Sequence, residues 1–320
     1  MRTIVLTRSN VVAGSNNNTL VYNFPNSVDL TGAEVAVSNI TMYYSWENIN
    51  STILSNNKLN YYWGTSAVKY EVVIPNGLYE LADINAYLQW TFIQNKHYLV
   101  NGAGQYVYYA ELVINPTEYA VQLNTYPFPT ALPTGYSNPG GITFPAQTFN
   151  PQVEFPSKFN EIVGYAVDFK SSLNLGANTN LSYLSTTAPE IQPNSSVLVS
   201  ISGISNKYAN PSSIIYSVAP NVGLGELIVE KPAQFNWNRF IGGTYNRLSV
   251  QFLGNDLRPL TIIDPNITII LCIRDNDDLI GDIGQETGNA PNHNVQIAMR
   301  TPASQNSVSG KGLYAGRGYR

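Results

Sequence analysis

The sequence predicts an all-β fold, an antiparallel sandwich or barrel, and three observations lead to this prediction. Short runs rich in Val, Ile, Tyr and Thr recur along the chain with partial period-2 alternation, as strands require. Clusters of Asn, Gly, Pro and Ser separate these runs, as turns do. Segments with helical periodicity are almost absent, which disfavours an alternating βαβ architecture.

The predicted strands are short, and their number fills a two-sheet sandwich with a few to spare. They fall into two groups, separated by a stretch in which the strand pattern is lost. The first group covers residues 2–8, 20–24, 34–45, 58–63, 68–74, 107–114 and 119–124, and the second covers 163–169, 197–204, 213–218, 226–230, 245–253 and 266–274.

One helix is predicted near residues 81–95, within the stretch that begins IPNGLYELADINAYLQW at residue 74. The Pro-Asn-Gly sequence at 75–77 predicts a turn that ends the preceding strand. Glu80 and Asp83 lie near the helix start, where the helix dipole favours negative charge. An apolar stripe at helical spacing predicts a crossover helix that covers the end of the sandwich. The stripe consists of Ile84, Tyr87, Leu88, Thr91 and Phe92.

Composition limits the possible classes of function more than any motif does. Only 12% of the 320 residues are charged, against roughly 25% in an ordinary soluble domain. Uncharged amides and phenols cost less to desolvate than ions, so this composition suits a surface that packs against neighbours. An adhesin or lectin can have the same composition, and that alternative stays open.

A long segment rich in proline and aromatic residues, 125–160, interrupts the strand pattern. It holds seven of the nineteen prolines, which remove ladder donors and prevent regular sheet throughout. The sequence predicts an extended loop or small insertion within the 1–276 domain, projecting or contacting a neighbouring subunit. The candidate subunit or attachment contacts are Tyr126, Phe128, Tyr136, Phe144, Phe149 and Phe155.

Residues 277–320 are predicted to form an acidic loop followed by a basic, glycine-rich arm. Residues 300–320 carry a charge of +4 without any acidic residue, and the rest of the chain carries −8. We expect the arm to face an interface or DNA through Arg300, Lys311, Arg317 and Arg320. The acidic residues Asp275, Asp277, Asp278, Asp282 and Glu286 do not match the EF-hand pattern, so a solvated loop or a subunit contact is favoured over a metal site.

Catalytic and cofactor motifs are absent from the sequence. His97 and His293 lack Cys or acidic neighbours at zinc spacing, and Cys272 lies in an apolar run that predicts a buried strand. Gly223-Leu224-Gly225 is interpreted as a turn rather than as part of a nucleotide-binding loop. We therefore expect no metal, no cofactor and no enzymatic activity. No stretch has the roughly 18 continuous apolar residues of a membrane span, and no membrane insertion is expected.

Adjacent aromatic residues recur in the predicted strands. Because successive strand side chains point to opposite faces, one member of each pair is expected inside and the other outside. The outward members are candidates for contact with a subunit, a glycan or another protein. The residues concerned are Tyr43, Tyr44, Trp46, Tyr61, Tyr62, Trp63, Tyr108 and Tyr109.

Five sequence stretches together resemble the penton (minor capsid) proteins of virophages and polinton-like double-stranded DNA viruses. The resemblance extends over about residues 34–276. The stretches are SWENINS, NKLNYYWG, PNGLYELADINAYLQ, FPSKFNEIVGY and IDPNITIILCIRDND.

The resemblance implies a single jelly-roll sandwich of two four-stranded sheets. It also implies a homopentamer that closes the fivefold vertices of an icosahedral capsid, next to a separate double jelly-roll major capsid protein. The implied location is the virion, and the host cell during assembly. Packaged double-stranded DNA is a further expected partner, through the C-terminal arm. The alternative is a jelly-roll receptor- or carbohydrate-binding protein of lectin or fibre type.

Overall fold

The structure is a computed structural model that describes residues 1–192 and 194–275. Strands dominate it, and the helix predicted near 81–95 is present. The elements in chain order are β1 (Arg2–Leu6), a 3₁₀ turn (Arg8–Asn10), β2 (Thr19–Asp29), β3 (Glu34–Tyr43), β4 (Lys58–Trp63), β5 (Val68–Val73), α1 (Leu81–Gln94), β6 (Leu99–Val100), β7 (Tyr106–Val107), β8 (Ala110–Asn115), β9 (Ala120–Thr125), β10 (Gln152–Phe155), α2 (Phe159–Val163), β11 (Phe169–Lys170), β12 (Leu181–Leu184), β13 (Val197–Ile201), β14 (Ile214–Val218), β15 (Leu227–Glu230), β16 (Asn238–Arg239), β17 (Thr244–Leu253) and β18 (Thr268–Arg274).

Eight strands from the two ends of the described chain form a jelly roll, which confirms the predicted fold class. One sheet has the order β1-β18-β3-β15, and the other has the order β14-β13-β17-β2. The first of the eight strands pairs with the last, the second with the seventh, the third with the sixth and the fourth with the fifth. This is the pairing of one long antiparallel ribbon wrapped into two sheets.

The sandwich core is aliphatic because the inward positions alternate along each strand. In β18, Ile269, Leu271 and Ile273 face the core, and in β17, Leu248 and Val250 do so. Outward neighbours in the same strands are polar or half-buried, except for Cys272, which is buried. β-Branched residues at these positions fit the pleated sheet, which explains why these strands were recognisable from the sequence.

Residues 47–192 are inserted between β3 and β13 and build a second hydrophobic core. They contain two further antiparallel sheets, β11-β10-β4-β5 and β12-β9-β8, together with the hairpin β6-β7. We call this segment the insertion, and residues 1–46 and 194–275 the sandwich. The predicted strands from 58 to 124 thus belong to the insertion, and the sandwich uses β1 and β2 from the first 30 residues instead.

Helix α1 lies in the insertion and packs on β8. Its buried residues are Leu81, Ile84, Leu88, Thr91 and Phe92, close to the predicted stripe. The Asp83 carboxylate accepts the backbone N–H of Glu80 at 2.9 Å, which caps the first turn. The helix therefore covers the insertion core, and its expected position over the end of the sandwich is wrong.

The two ends of the 125–160 segment belong to the insertion core, whereas residues 129–148 are exposed or half-buried, so its prediction as a projecting loop needs correction only at those ends. Phe128, Phe149 and Phe155 are fully buried and cannot serve as subunit or attachment contacts in this fold. The prolines of this segment remove backbone donors and so prevent a regular ladder. The buried aromatic rings pack there instead. Tyr126, Tyr136 and Phe144 pack on the same core and remain half-buried. Their expected role in contacts stays a prediction.

Candidate assembly surfaces

The outer face of the β1-β18-β3-β15 sheet carries a cluster of exposed apolar side chains, with uncharged polar residues such as Asn39 and Thr268 between them. Val5 lies opposite Ile270, Thr41 lies opposite both Thr268 and Val229, and Tyr43 lies opposite Leu227. Val229 is 53% exposed, and Val5, Tyr43 and Leu227 are also exposed. We call this surface the apolar face, and it consists of Val5, Thr41, Tyr43, Leu227, Val229 and Ile270.

Charged residues border the apolar face at the start of β3. There the Arg274 guanidinium binds the Glu34 carboxylate at 2.7 Å and stacks over Trp237, 4.3 Å from the ring centroid. At another border, β15 is the edge strand of this sheet and has four residues. Exposed aliphatic side chains clustered on one face are typical of a surface that a partner covers.

The outer face of the second sheet differs in chemistry. Ser217 lies opposite Leu198, Ser200 lies opposite Gln251, and Gln251 lies opposite Thr19. Except for the half-buried Leu198, these outward positions carry hydroxyl and amide groups that water can solvate. The second sheet therefore leaves less aliphatic area in contact with water than the first sheet does.

Adjacent aromatic residues alternate between the inside and the outside, as the strand period predicts. Tyr44, Trp46, Tyr61, Trp63 and Tyr109 are buried. Tyr43 is exposed, and Tyr62 and Tyr108 are half-buried. This prediction is confirmed, and it places Tyr43 on the apolar face.

His97 lies in an aromatic cluster of the insertion core. Its ring stacks on Trp63 with the centroids 4.3 Å apart and the planes at 5°. Asn95 Nδ2 donates to the Tyr61 hydroxyl at 2.7 Å, and that hydroxyl forms a hydrogen bond with His97 Nδ1 at 3.0 Å, in which it can donate its own proton. Burial lowers the pKa of His97 to about 4, which leaves the imidazole neutral at neutral pH. This arrangement anchors the ring in the core.

A polar cleft of about 690 Å³ lies between the sandwich and the insertion. Lys158 binds Glu161 at 3.0 Å, and Arg258 lies 3.7 Å from Asp256. Four of the five charged residues that line this cleft thus form two ion pairs between sequence neighbours, and Glu190 is the fifth.

The other predicted site residues are placed as follows. Cys272 is buried and unpaired in β18, as its apolar surroundings predicted. Gly225 has a φ of +77°, which fits the turn interpretation of Gly223-Leu224-Gly225. Asp275 lies 3.0 Å from Arg2. The remaining residues lie outside the described part of the chain: Asp277, Asp278, Asp282, Glu286, His293, Arg300, Lys311, Arg317 and Arg320.

Within residues 1–192 and 194–275, no three His, Cys, Asp or Glu side chains are grouped so as to hold a metal ion. None of the helices in this part of the chain has the length and hydropathy needed to span a bilayer.

The similarity of this chain to known proteins is one of structure and not of sequence. No protein-family model and no curated protein sequence matches the chain. Among solved structures, the chain is similar to the crystal structure of the selenomethionine-labelled mavirus penton protein. The two share 11% sequence identity, the match covers 85% of this chain and 96% of that chain, and the TM-score is 0.41. This solved structure is itself of a penton protein, the family that the sequence resembles.

Proposed function

We propose that the protein is a structural minor capsid protein that closes the fivefold vertices of an icosahedral virus capsid as a homopentamer. The observation that carries the proposal is the apolar face, an uncharged surface on one sheet of a jelly roll. A cyclic assembly needs one surface per subunit that meets a different surface on its neighbour and closes after a fixed number of copies. The apolar face supplies the first of these two surfaces.

Charge is distributed unevenly between the two parts of the described chain, and this supports an orientation in the capsid. The insertion contains ten acidic and five basic residues, whereas the sandwich contains seven acidic and eight basic residues. The sandwich is therefore the part that packaged DNA would repel less. We place the insertion on the outside of the capsid.

The sandwich end remote from the insertion is the proposed inner end. The insertion follows the last residues of β3, while Arg274 and Arg239 both lie near Glu34 at its first residue. Arg2 and Asp275 pair at this same end. In this arrangement the C-terminal arm meets packaged double-stranded DNA, and the sandwich sides meet a double jelly-roll major capsid protein.

Oligomeric state tests the proposal directly. Native mass measurement should find a species of five times 35.2 kDa for the whole chain. Val229→Lys should abolish this species because it places a charge in the covered part of the apolar face. Ser217→Lys is the matched control, an exposed residue on the edge strand of the other sheet, and it should leave the pentamer intact.

Both variants change exposed residues and should keep the unfolding free energy within about 0.5 kcal/mol of the original chain. A protein that is monomeric or trimeric under all conditions would contradict the vertex role and favour the receptor- or carbohydrate-binding alternative. A pentamer that survives Val229→Lys would show that another surface carries the assembly.

A further inference from the structure

The hairpin β6-β7 of the insertion presents three tyrosines on one side. Leu99 and Val107 pair across the hairpin and face the core. Because side chains alternate along a strand, their neighbours Tyr98, Tyr106 and Tyr108 face the opposite way. We call these three residues the tyrosine ladder.

The rings of the tyrosine ladder lie against one another and stay accessible. The centroid of the Tyr106 ring lies 5.1 Å from that of Tyr98 and 6.3 Å from that of Tyr108. The planes of Tyr106 and Tyr108 are inclined at 14° to each other. Phe92 of α1 stacks on Tyr108 from the core side at 6.4 Å. Tyr106 in the middle is 52% exposed. The ladder therefore offers two near-parallel rings, Tyr106 and Tyr108, with the Tyr98 ring inclined at 59° to Tyr106, and its inner edge is fixed by the core.

The hairpin segment that carries the ladder contains no charged residue. Segments 98–110 and 119–153 contain no Asp, Glu, Lys or Arg, although the insertion as a whole carries a net charge of −5. The structure joins the two segments, since Val100 and Ser137 exchange backbone hydrogen bonds at 3.0 and 2.8 Å. Glu111 borders them, and its carboxylate accepts hydrogen bonds from Tyr126 and Asn124, so the ladder belongs to a surface that is poor in charge but not free of it.

The polar groups of this surface are amides, hydroxyls and backbone. Asn101 donates to Gln105 at 3.1 Å in the hairpin turn. A Cβ atom on Gly102 would lie 3.1 Å from the carbonyl oxygen of Gly135, so the two loops meet through backbone. Tyr, Ser, Gly and Asn together form the composition of binding loops that combine rigid aromatic contact area with adaptable hydrogen bonding.

We infer that the tyrosine ladder is a binding site for a neutral carbohydrate. A sugar ring presents a C–H face that packs on an aromatic face, and hydroxyls that pair with amides and phenols. It carries no charge, which complements the uncharged hairpin segment 98–110.

The inference does not depend on the vertex role, because binding is measured on the intact chain whatever its oligomeric state. It is compatible with that role, since it places the ladder on the insertion, the part proposed to face outward. The burial that raises the pKa of Tyr108, together with its tyrosine neighbours, keeps that phenol protonated and able to donate.

The test is binding of the whole chain to an array of neutral and acidic glycans, followed by titration with maltohexaose and chitohexaose. We expect binding to neutral glycans and a loss of at least roughly tenfold in affinity for Tyr106→Ala, since stacking on its ring is lost. Tyr106→Trp keeps an aromatic face and should retain binding. Tyr208→Ala, at a fully exposed tyrosine of the sandwich, is the matched control and should bind unchanged.

Three results would overturn the inference. They are the absence of neutral glycans among the bound array members, unchanged glycan binding by Tyr106→Ala, and a change of oligomeric mass in Tyr106→Ala. The last result would assign the ladder to a contact between subunits. Because Tyr106 is exposed, its replacement should leave the circular dichroism spectrum unchanged, and that measurement separates lost binding from lost folding.

Discussion

The sandwich and the insertion solve the problem of forming a core in different ways. Only four of the 28 buried residues in the sandwich core are aromatic, against nine of 24 in the insertion core. The sandwich strands form ladders of up to ten or eleven residues, whereas those of the insertion have two to six. Long ladders satisfy the backbone of the sandwich, so small aliphatic residues suffice to fill it.

The insertion replaces missing ladder bonds with buried asparagines. Ten of the sixteen buried polar residues in the described chain are Asn, and seven of these ten lie in the insertion. Asn48 Nδ2 donates to the carbonyls of Tyr79 and Ile191, and its Oδ1 accepts from the backbone of Tyr79. It thereby ties both ends of the insertion together. A side-chain amide supplies the donors and acceptors that an irregular backbone needs.

The largest effect should come from an aromatic residue of the insertion core. Phe128 is fully buried, and its ring lies 4.9 Å from Tyr109 and 5.1 Å from Trp63. Phe128→Ala should lower the unfolding free energy by about 3–5 kcal/mol, because it leaves a cavity. Phe144→Ala, which removes a half-buried ring stacked on Phe128, should cost less.

Native-state hydrogen exchange would refine the comparison between the two cores. If the cores open separately, Phe128→Ala will reduce protection within residues 47–192 and leave β13 and β17 protected. Equal loss of protection in both parts would show that they unfold as one unit. A negligible cost of Phe128→Ala would mean that the 125–160 segment contributes little to the core.

The sequence predicted local structure well because local structure depends on neighbouring residues. The bounds of α1 and the alternation of Tyr43 with Tyr44 follow from periodicity within a few residues. Strand partners depend on distant residues, and 153 residues separate β3 from β13. Nothing in the strand sequences indicates that the ribbon is interrupted there, so the second core was not foreseen.

The sequence predicts the chemical character of the candidate surfaces but not their position. Low charge indicated an uncharged surface, and the apolar face is one, but its position depends on which strands pair. Proline and aromatic residues in 125–160 are compatible with a projecting loop or with a core, since their spacing has no period that separates the two. Asn abundance was interpreted as surface polarity, whereas Asn150 and Asn160 are buried.

An intermediate effect is expected from acidification, and it should be specific to the insertion. Burial lowers the pKa of His97 to about 4, below its ordinary value of 6.5. The folded state therefore takes up this proton less readily than the unfolded state, and stability is lost as the pH falls from 6.5 toward 4. The loss should approach about 3 kcal/mol below that range.

His97→Gln isolates this contribution. A Gln amide oxygen can accept the Tyr61 hydroxyl hydrogen bond without a titrating group, so the variant should lose stability at neutral pH but show a flatter pH dependence between 6.5 and 4. Urea unfolding at a series of pH values measures both quantities. An unchanged slope in the variant would assign the acid sensitivity to other groups.

The smallest effect concerns a single buried amide and tests whether asparagines substitute for ladder bonds. Asn150 is fully buried, and its Nδ2 donates to the carbonyl oxygens of Thr125 and Thr179 at 3.0 and 3.1 Å. Asn150→Ala leaves both carbonyls unpaired and should cost about 1–3 kcal/mol, as measured by urea unfolding. Asn150→Asp keeps the shape of the side chain but places a carboxylate oxygen against the carbonyl oxygens of Thr125 and Thr179. It should therefore lower the unfolding free energy more than Asn150→Ala does.

The control is Asn26→Ala, at an exposed position of β2, whose unfolding free energy should stay within about 0.5 kcal/mol of that of the original chain. If Asn150→Ala were as neutral as Asn26→Ala, water would have to satisfy these carbonyls, and the insertion would depend on its aromatic packing alone.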